Sequence, residues 1–196
     1  MSRYLIWLLS VPVLALLLLG CASRDEPALV PDRALATPET LPGQQFEQRL
    51  TAEASGRSQQ FWVVGQLCGD RFDLRFLTPA GLPLLHVRQQ GTAIEALSGR
   101  ALPGALTAER ILADLQLVYW PVQALEGAWD VAWAVQVHPR QRLLTFHDDV
   151  LVEVRYAEAE QAPWRGLVTL EHRQLDYRLE VETLERQIDE CQHQDG

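Results

Sequence analysis

Apolar and polar residues alternate along most of the chain beyond its proline-rich N-terminal part, and this period of two is typical of half-buried β-strands. In residues 70–77, Phe72, Leu74 and Phe76 share one face, and charged residues occupy the positions between them. In residues 150–156, valines and a tyrosine at alternate positions show the same pattern. We predict further strands at 44–54, 58–68, 82–90, 92–97, 129–138, 142–146, 167–172 and 177–184.

Near the middle of the chain the period changes from that of a strand to that of a helix. Thr107 is a suitable N-cap, and Ile111 and Leu115 belong to the apolar stripe that follows it. The proline after Trp120 ends this helix and can occupy the first position of a second, short one. The sequence therefore predicts a helical insertion at about 107–126, between two groups of strands.

These elements predict a mainly β (α+β) fold, in which an antiparallel and strongly curved half-barrel sheet carries the helical insertion as a lid. Both helices have an apolar face, and the concave side of a curved sheet is the natural surface for them to cover. The residues that we expect to line an apolar ligand-binding cleft under the lid are Phe72, Leu74, Phe76, Leu82, Ile111, Leu115 and Trp120. The plain alternative for each of them is a place in the ordinary hydrophobic core.

The N-terminus has the pattern of a secretion signal. A basic residue, Arg3, precedes an apolar run that is shorter than the roughly 20 residues of a transmembrane helix. The run ends in Gly20 and Cys21, a junction that resembles the lipobox of bacterial lipoproteins. We predict that residues 1–20 are a signal peptide and that Cys21 becomes the lipid anchor; an ordinary signal peptide with an incidental cysteine is the alternative.

The resemblance to lipoproteins implies that Cys21 carries a diacylglyceryl group and an amide-linked acyl chain such as palmitate. Each buried methylene contributes about 0.8 kcal/mol, so this anchor would be permanent. Alanine follows the cysteine where an aspartate would resemble an inner-membrane retention signal, which favours the periplasmic face of the outer membrane. We expect a mobile, proline-rich tether at 21–43, one domain at 44–186 and a polar tail at 187–196.

The charge and the cysteines of the chain limit the partners and the cellular compartment that we expect. The formal net charge of −9 argues against a nucleic-acid partner. Removing a signal peptide of 20 residues would leave enough chain for one domain with a sizeable core. Besides Cys21, the chain contains Cys68 and Cys191, and an oxidising periplasm permits a disulfide between them. The sequence leaves this pairing undecided.

Signatures of catalysis are not evident in the sequence. His147, Asp148 and Asp149 invite a metal interpretation, but they fall where a hairpin turn belongs, and a metal site needs three or four convergent ligands. There is no nucleophile elbow, no phosphate-binding glycine loop and no zinc-protease motif. We therefore predict no enzymatic activity, no metal and no cofactor; a hydrolase of acyl or polyene conjugates is kept as an alternative.

The order of these elements resembles the LolA/LolB superfamily of lipoprotein carriers over residues 44–184. Its most specific part is the helical segment 108–125. Within it, residues 112–121 (LADLQLVYWP) are similar to a stretch found in a lipoprotein subfamily associated with aryl-polyene biosynthesis clusters. Trp164 and Tyr177, outside this segment, also resemble residues of that subfamily.

This resemblance implies an outer-membrane lipoprotein that binds an acyl chain or lipidated cargo, such as an aryl-polyene lipid or a lipoprotein, and carries or inserts it. Its partners would be the outer membrane, the cargo and a periplasmic carrier protein. Ala80 takes the place of a protruding leucine that LolB-like proteins use for insertion, with Leu82 nearby. The alternative is a non-carrier lipoprotein with a filled core that acts as an interaction module in envelope assembly.

Overall fold

Ten strands and two helices make up residues 31–99 and 107–188, the part of the chain that the computed structural model describes. The helices are α1 (Ala108–Tyr119) and α2 (Val122–Ala128), and a 3₁₀ turn at Pro38–Thr40 precedes the first strand. The strands are β1 (Gln44–Ala54), β2 (Arg57–Cys68), β3 (Arg71–Leu77), β4 (Pro83–Gln90), β5 (Ala93–Gly99), β6 (Trp133–His138), β7 (Gln141–Phe146), β8 (Asp149–Tyr156), β9 (Leu167–His172) and β10 (Tyr177–Ile188).

All described strands form one antiparallel sheet in the order β5-β4-β3-β2-β1-β10-β9-β8-β7-β6. The first and last strands pair at its centre, and β5 and β6 are its two edges. The helices connect these edges across one face of the sheet. The prediction of a mainly β, antiparallel sheet with a helical insertion in mid-chain is confirmed.

The alternation of the sequence becomes an inner, buried face and an outer, polar face. In β1 every second residue from Gln44 to Ala52 is buried. Leu50 of β1 pairs with Phe61 on one side and Val181 on the other, so the central strands bring apolar side chains together. Burial of such side chains supplies about 25 cal/mol per Å² of apolar surface, which makes this face the core.

Helix α1 is buried along nearly its whole length, with every residue from Ile111 to Tyr119 inaccessible. The Thr107 side chain caps it by accepting a hydrogen bond of 3.3 Å from the Arg110 amide, as the sequence predicts. The helix ends at Trp120, whose backbone is extended, because a following proline disfavours helical geometry.

Several boundaries differ from the prediction. Helix α2 extends beyond residue 126, and β6 begins at Trp133 because the Asp130 carboxylate accepts a hydrogen bond of 2.9 Å from the Ala132 amide and holds a turn. Strand β10 reaches Ile188 because its backbone stays paired with Gln44. His147 and Asp148 both have positive φ and form the hairpin turn that was expected there.

Residues 32–37, which we call the strap, pack against the domain. Leu35 and Ala36 are 6 % and 3 % exposed, and the compact unit that contains the sheet begins at Asp32. The proline content predicted a mobile tether as far as residue 43, but the contacts of the strap shorten that segment. Prolines mark extended backbone, and extended backbone can lie against a surface as well as move freely.

Several predicted features fall outside the described residues: the signal peptide 1–20, Cys21 and most of the polar tail. Cys68, at the end of β2, is disulfide-bonded, and the other two cysteines lie outside the described residues. Within 31–99 and 107–188, no helix is long and apolar enough to cross a membrane.

Candidate functional site

A small apolar cavity lies between the inner face of the sheet and the N-terminal half of α1. Its volume is about 20 Å³. One polar side chain, that of Gln48, takes part in the lining; the others are apolar. The lining residues are Gln48, Leu50, Ala52, Phe61, Val63, Phe76, Ile111, Leu115 and Leu179.

The small volume shows that the cavity, as the structure has it, is too small to hold an acyl chain. A cavity of this size holds about one water-sized sphere, whereas an acyl chain contains many methylenes. A chain could enter only if α1 moved away from the sheet or if the lining side chains repacked. The cleft that the sequence predicts is thus largely filled by the core side chains themselves.

The predicted ligand-binding residues separate into three groups. Phe76, Ile111 and Leu115 line the cavity. Phe72 and Leu74 are buried on the same face of β3 as Phe76 but do not line it, and Trp120 packs against the Phe72 ring at 5.6 Å. Leu82 lies apart from them, 64 % exposed in the turn between β3 and β4. The lipid-anchor prediction for Cys21 falls outside the described residues.

An aromatic cluster extends the core beyond the cavity. Trp164, in the loop before β9, stacks on Tyr119 with ring centroids 3.9 Å apart and lies 5.0 Å from the Phe46 ring. Phe46 in turn covers Gly65, where a side chain would overlap its ring. The sequence singled out Trp164 only through the family resemblance, because an isolated tryptophan in a loop has no periodicity to reveal its place.

A polar group buried at the cavity joins β1, α1 and β10. The Gln48 Nε2 donates hydrogen bonds to the Tyr119 Oη at 2.9 Å and the Thr183 Oγ1 at 3.2 Å. The Gln48 Oε1 is buried and has no hydrogen-bond partner. Complete burial raises the pKa of Tyr119, so its phenol stays protonated and neutral.

An ion pair joins the strap to α1. The Arg33 guanidinium donates to the Asp114 carboxylate, and the Tyr177 hydroxyl donates to its other oxygen. Burial of Asp114 raises its pKa, and the positive charge of Arg33 opposes that effect. Asp114 thus joins α1 to both the strap and β10, and the helix cannot leave the sheet without disturbing these contacts.

Further hydrogen bonds join the backbone of the strap to side chains of α1 and its neighbours. The Gln116 side chain accepts from the Ala36 amide and donates to the Ala36 carbonyl, both at 2.9 Å. The Gln89 Nε2 donates to the same carbonyl at 2.8 Å and so ties β4 to the strap. The indoles of Trp120 and Trp129 donate to strap carbonyls at 3.2 and 2.9 Å.

The C-terminal half of α1 is pinned from the other edge of the sheet. The Arg142 Nη1 donates to the carbonyls of Leu117 and Trp120 at 2.7 and 2.8 Å, and its Nε donates to Glu160 at 2.8 Å. The Tyr156 hydroxyl donates to the Val118 carbonyl at 2.9 Å. These donors satisfy the free carbonyls at the helix end. Above the cavity, the contacts of Ile111 and Leu115 with the sheet are apolar, and the hydrogen bond from Tyr177 to Asp114 lies between them.

A larger groove of about 760 Å³ lies where the β1–β2 and β9–β10 hairpins turn. Charged residues of both signs line it, and Glu153 there pairs with Arg155 at 2.7 Å and Arg173 at 3.1 Å. Burial raises the pKa of Glu153, but hydrogen bonds and the nearby arginines outweigh it and lower the pKa overall. An acyl chain would gain little binding free energy from such a charged surface. The apolar cavity is therefore the better candidate for an acyl-chain binding site.

His172 is the titratable group that bears on the hydrolase alternative. Burial, with the positive charges of Arg33 and Arg110, lowers the pKa of His172 to about 4. Its Nδ1 accepts a hydrogen bond of 3.3 Å from the Leu175 amide. Within residues 31–99 and 107–188, no hydrogen bond joins it to a serine, threonine or cysteine nucleophile, and no group of three His, Cys, Asp or Glu residues could hold a metal.

Comparison with known proteins gives one family match. The model of a family described as "Protein of unknown function (DUF3261)" matches residues 45–185, which span both helices and all the described strands except the first residue of β1 and the last three of β10. No curated protein is similar enough to this sequence to count as a match.

Two solved structures share a coarse likeness with the chain. One is a DUF1329 family protein from Desulfovibrio piger, with 5 % identity, 78 % of this chain and 88 % of that chain covered, and a TM-score of 0.40. The other, from Vibrio parahaemolyticus, is described as an outer membrane lipoprotein-sorting protein domain, with 8 % identity, 79 % and 88 % coverage, and a TM-score of 0.43. At these scores neither likeness carries an argument about function.

Proposed function

We propose that this chain, which belongs to the family described as "Protein of unknown function (DUF3261)", binds the acyl chain of a lipid or lipidated cargo between its sheet and α1. The observation that carries this proposal is the apolar cavity under the N-terminal half of the helix. Phe76, Ile111 and Leu115, which the sequence predicts as ligand-binding residues, come together there from two separate elements.

The asymmetry of α1 supports an opening movement at one end. Arg142 and Tyr156 pin its C-terminal half through directional hydrogen bonds. The apolar contacts of Ile111 and Leu115 are not directional, so an acyl chain can replace them, while opening must also break the hydrogen bond from Tyr177 to Asp114. A chain that enters gains about 25 cal/mol per Å² of apolar surface removed from water. The helix and the cargo then compete for the same inner face of the sheet.

The sequence supports a membrane-attached form of this binding protein. We propose that Cys21 is lipidated and that the domain stands at the periplasmic face of the outer membrane. Replacing Cys21 by alanine should abolish the incorporation of an alkyne-labelled palmitate and release the protein from the outer-membrane fraction. Labelling that persists in the variant would contradict the anchor.

The cargo is proposed more narrowly from the resemblance of residues 112–121 to the subfamily associated with aryl-polyene clusters. An aryl-polyene lipid has a long apolar chain, which suits an apolar cleft of the proposed kind. A lipoprotein, as in the LolA/LolB resemblance, is the second cargo of this class. In either case the protein would carry or insert the chain and would not modify it.

The test is native mass spectrometry of residues 22–196 purified from the periplasm, with lipid extraction of the same sample. We expect a bound amphiphile, and we expect Leu115→Glu to remove it. Val131→Glu is the matched control, because Val131 is fully exposed. Since a buried glutamate can unfold the protein, Ala52→Val provides a second variant that fills the cavity without adding charge.

A filled-core interaction module remains the second candidate, and the small volume of the cavity favours it. The same experiment separates the two functions. A mass without ligand, and no uptake when acyl lipids or polyene esters are added, would contradict lipid binding and leave the interaction module.

A further inference from the structure

Gln48 lines the cavity with the carbon atoms of its side chain, and its amide is buried beside them without exposure to the cavity. It lies in β1, and 0 % of it is exposed. Two neighbouring residues on the same face of this strand, Leu50 and Ala52, continue the lining as apolar surface. A glutamine at this depth costs free energy unless each of its polar atoms has a partner.

Only the nitrogen of the Gln48 side-chain amide has hydrogen-bond partners. Both protons of Nε2 point to hydroxyl groups, those of Tyr119 and Thr183. The Oε1 has no hydrogen-bond partner. Exchanging the two ends would leave two amide protons unpaired in place of one acceptor, so the orientation found is the better satisfied one.

We propose that Gln48 is the recognition point for a hydrogen-bond donor on the bound chain, which rests on the proposed function. The ligand class is a neutral apolar chain bearing an amide N–H or a hydroxyl group. Once α1 has moved from the sheet and uncovered the amide, the Gln48 Oε1 would accept from that group while the chain lies along Leu50, Phe61 and Leu115. The lining contains no cationic side chain, so an ionised carboxylate would have no counter-charge there.

This assignment explains why a buried acceptor is retained beside an apolar lining. Leucine or methionine would fill the same position without an unpaired polar atom. An acceptor whose partner comes from the ligand discriminates strongly, because a chain without the donor leaves it unpaired and desolvated. Gln48 would therefore affect the selectivity among chains more strongly than the overall affinity for chains.

The test compares ligands that differ in one donor. N-methyldodecanamide and N,N-dimethyldodecanamide have the same chain and carbonyl, but only the first has an N–H. Both are titrated against residues 22–196, which contain the whole described domain, by displacement of a fluorescent fatty-chain probe. We expect the N-methyl compound to bind at least tenfold more tightly, and 1-dodecanol to bind more tightly than its methyl ether.

Gln48→Leu should abolish this preference and leave the affinity for the dimethyl compound unchanged or higher. Gln44→Leu is the matched control, since Gln44 is buried on the same face of β1 but does not line the cavity. Its variant should keep the preference. In the wild-type protein, the side-chain NH₂ resonances of Gln48 should shift with the N-methyl compound more than with the dimethyl compound.

The outcomes separate this inference from the proposed function. If both amides bind equally, or if Gln48→Leu retains the preference, the role of Gln48 is overturned while lipid binding stands. If no chain displaces the probe or binds at all, the proposed function fails and this inference with it.

Discussion

Arg33 of the strap forms a buried ion pair with Asp114 of α1, and the side chains of the two residues are only 5 % and 1 % exposed. The two residues are 81 positions apart in sequence. Their contact places the segment that follows the proposed membrane tether against the helix that covers the cavity. Any movement of α1 away from the sheet must therefore break or carry along this pair.

Replacing Arg33 by methionine should lower the free energy of unfolding by about 3 kcal/mol, because it leaves the Asp114 carboxylate buried without its cation. Urea denaturation of the wild type and the variant measures this. Adding Asp114→Asn should restore much of the loss, since the amide oxygen still accepts from Tyr177. Arg49→Ala is the control: its pair with Glu182 is largely exposed, and its loss should cost less than about 1 kcal/mol.

Removal of the strap should loosen α1 without removing any residue that lines the cavity. A chain that begins at residue 38 loses the bonds from Ala36 to Gln116 and from Trp129 to Ala34. We expect a lower melting temperature and faster uptake of a fluorescent fatty chain in stopped-flow mixing. Uptake at the wild-type rate would show that the strap does not restrain the opening of the cavity.

Gly65→Ala should destabilise the protein by about 1–3 kcal/mol through overpacking, because the new methyl group would overlap the Phe46 ring. Thermal unfolding measures the loss, and Phe46→Leu in the same chain should recover part of it. Gly127→Ala is the matched control, since it lies in α2 with open space around it. That variant should be neutral or more stable by up to about 1 kcal/mol.

His172 should make the protein lose stability as the pH falls from about 6.5 to about 4. Its pKa is about 4 in the folded protein and near 6.5 when unfolded, so within this window the unfolded chain binds a proton that the folded chain does not. The difference amounts to about 3 kcal/mol. Urea unfolding across this window should show a flatter pH dependence for His172→Gln, and equal slopes would contradict the assignment.

Asp73 acts in a separate, lower pH range. Burial raises the pKa of Asp73, but Arg71, His86 and Arg88 outweigh it and lower the pKa below its ordinary 3.8. Such a group stabilises the fold above that value, and its contribution is lost as the pH falls through its folded pKa. Asp73→Asn should therefore change the slope mainly below about pH 4, outside most of the His172 window.

The disulfide of Cys68 should join it to Cys191. Gln44 pairs with both Leu67 and Ile188, so the ends of β2 and β10 lie two strand spacings, about 10 Å, apart. The three residues after Ile188 can span that distance. Peptide mapping of the non-reduced protein should find this pair, and Cys191→Ser should cost about 2–4 kcal/mol. A bond from Cys68 to Cys21 would contradict both this pairing and the lipid anchor.

The sequence alone determined the elements whose signals are local. Alternation over 70–77 and 150–156 placed strands there, since the period of two follows from the pleat itself. Thr107 marked the helix start, and the proline after Trp120 marked its end, because caps and breakers act on their neighbours. Three of the predicted ligand-binding residues reached the cavity because the apolar faces of the sheet and the helix must meet.

The tertiary structure decided everything that depends on partners distant in the chain. It buried the strap, left Leu82 exposed and packed Trp120 against Phe72. Nothing near Arg33, Ala36 or Gln48 in the sequence distinguishes them from ordinary loop or strand residues, since their partners lie between 71 and 135 positions away. A polar side chain takes its role from the group opposite it in space, and only the folded chain determines that group.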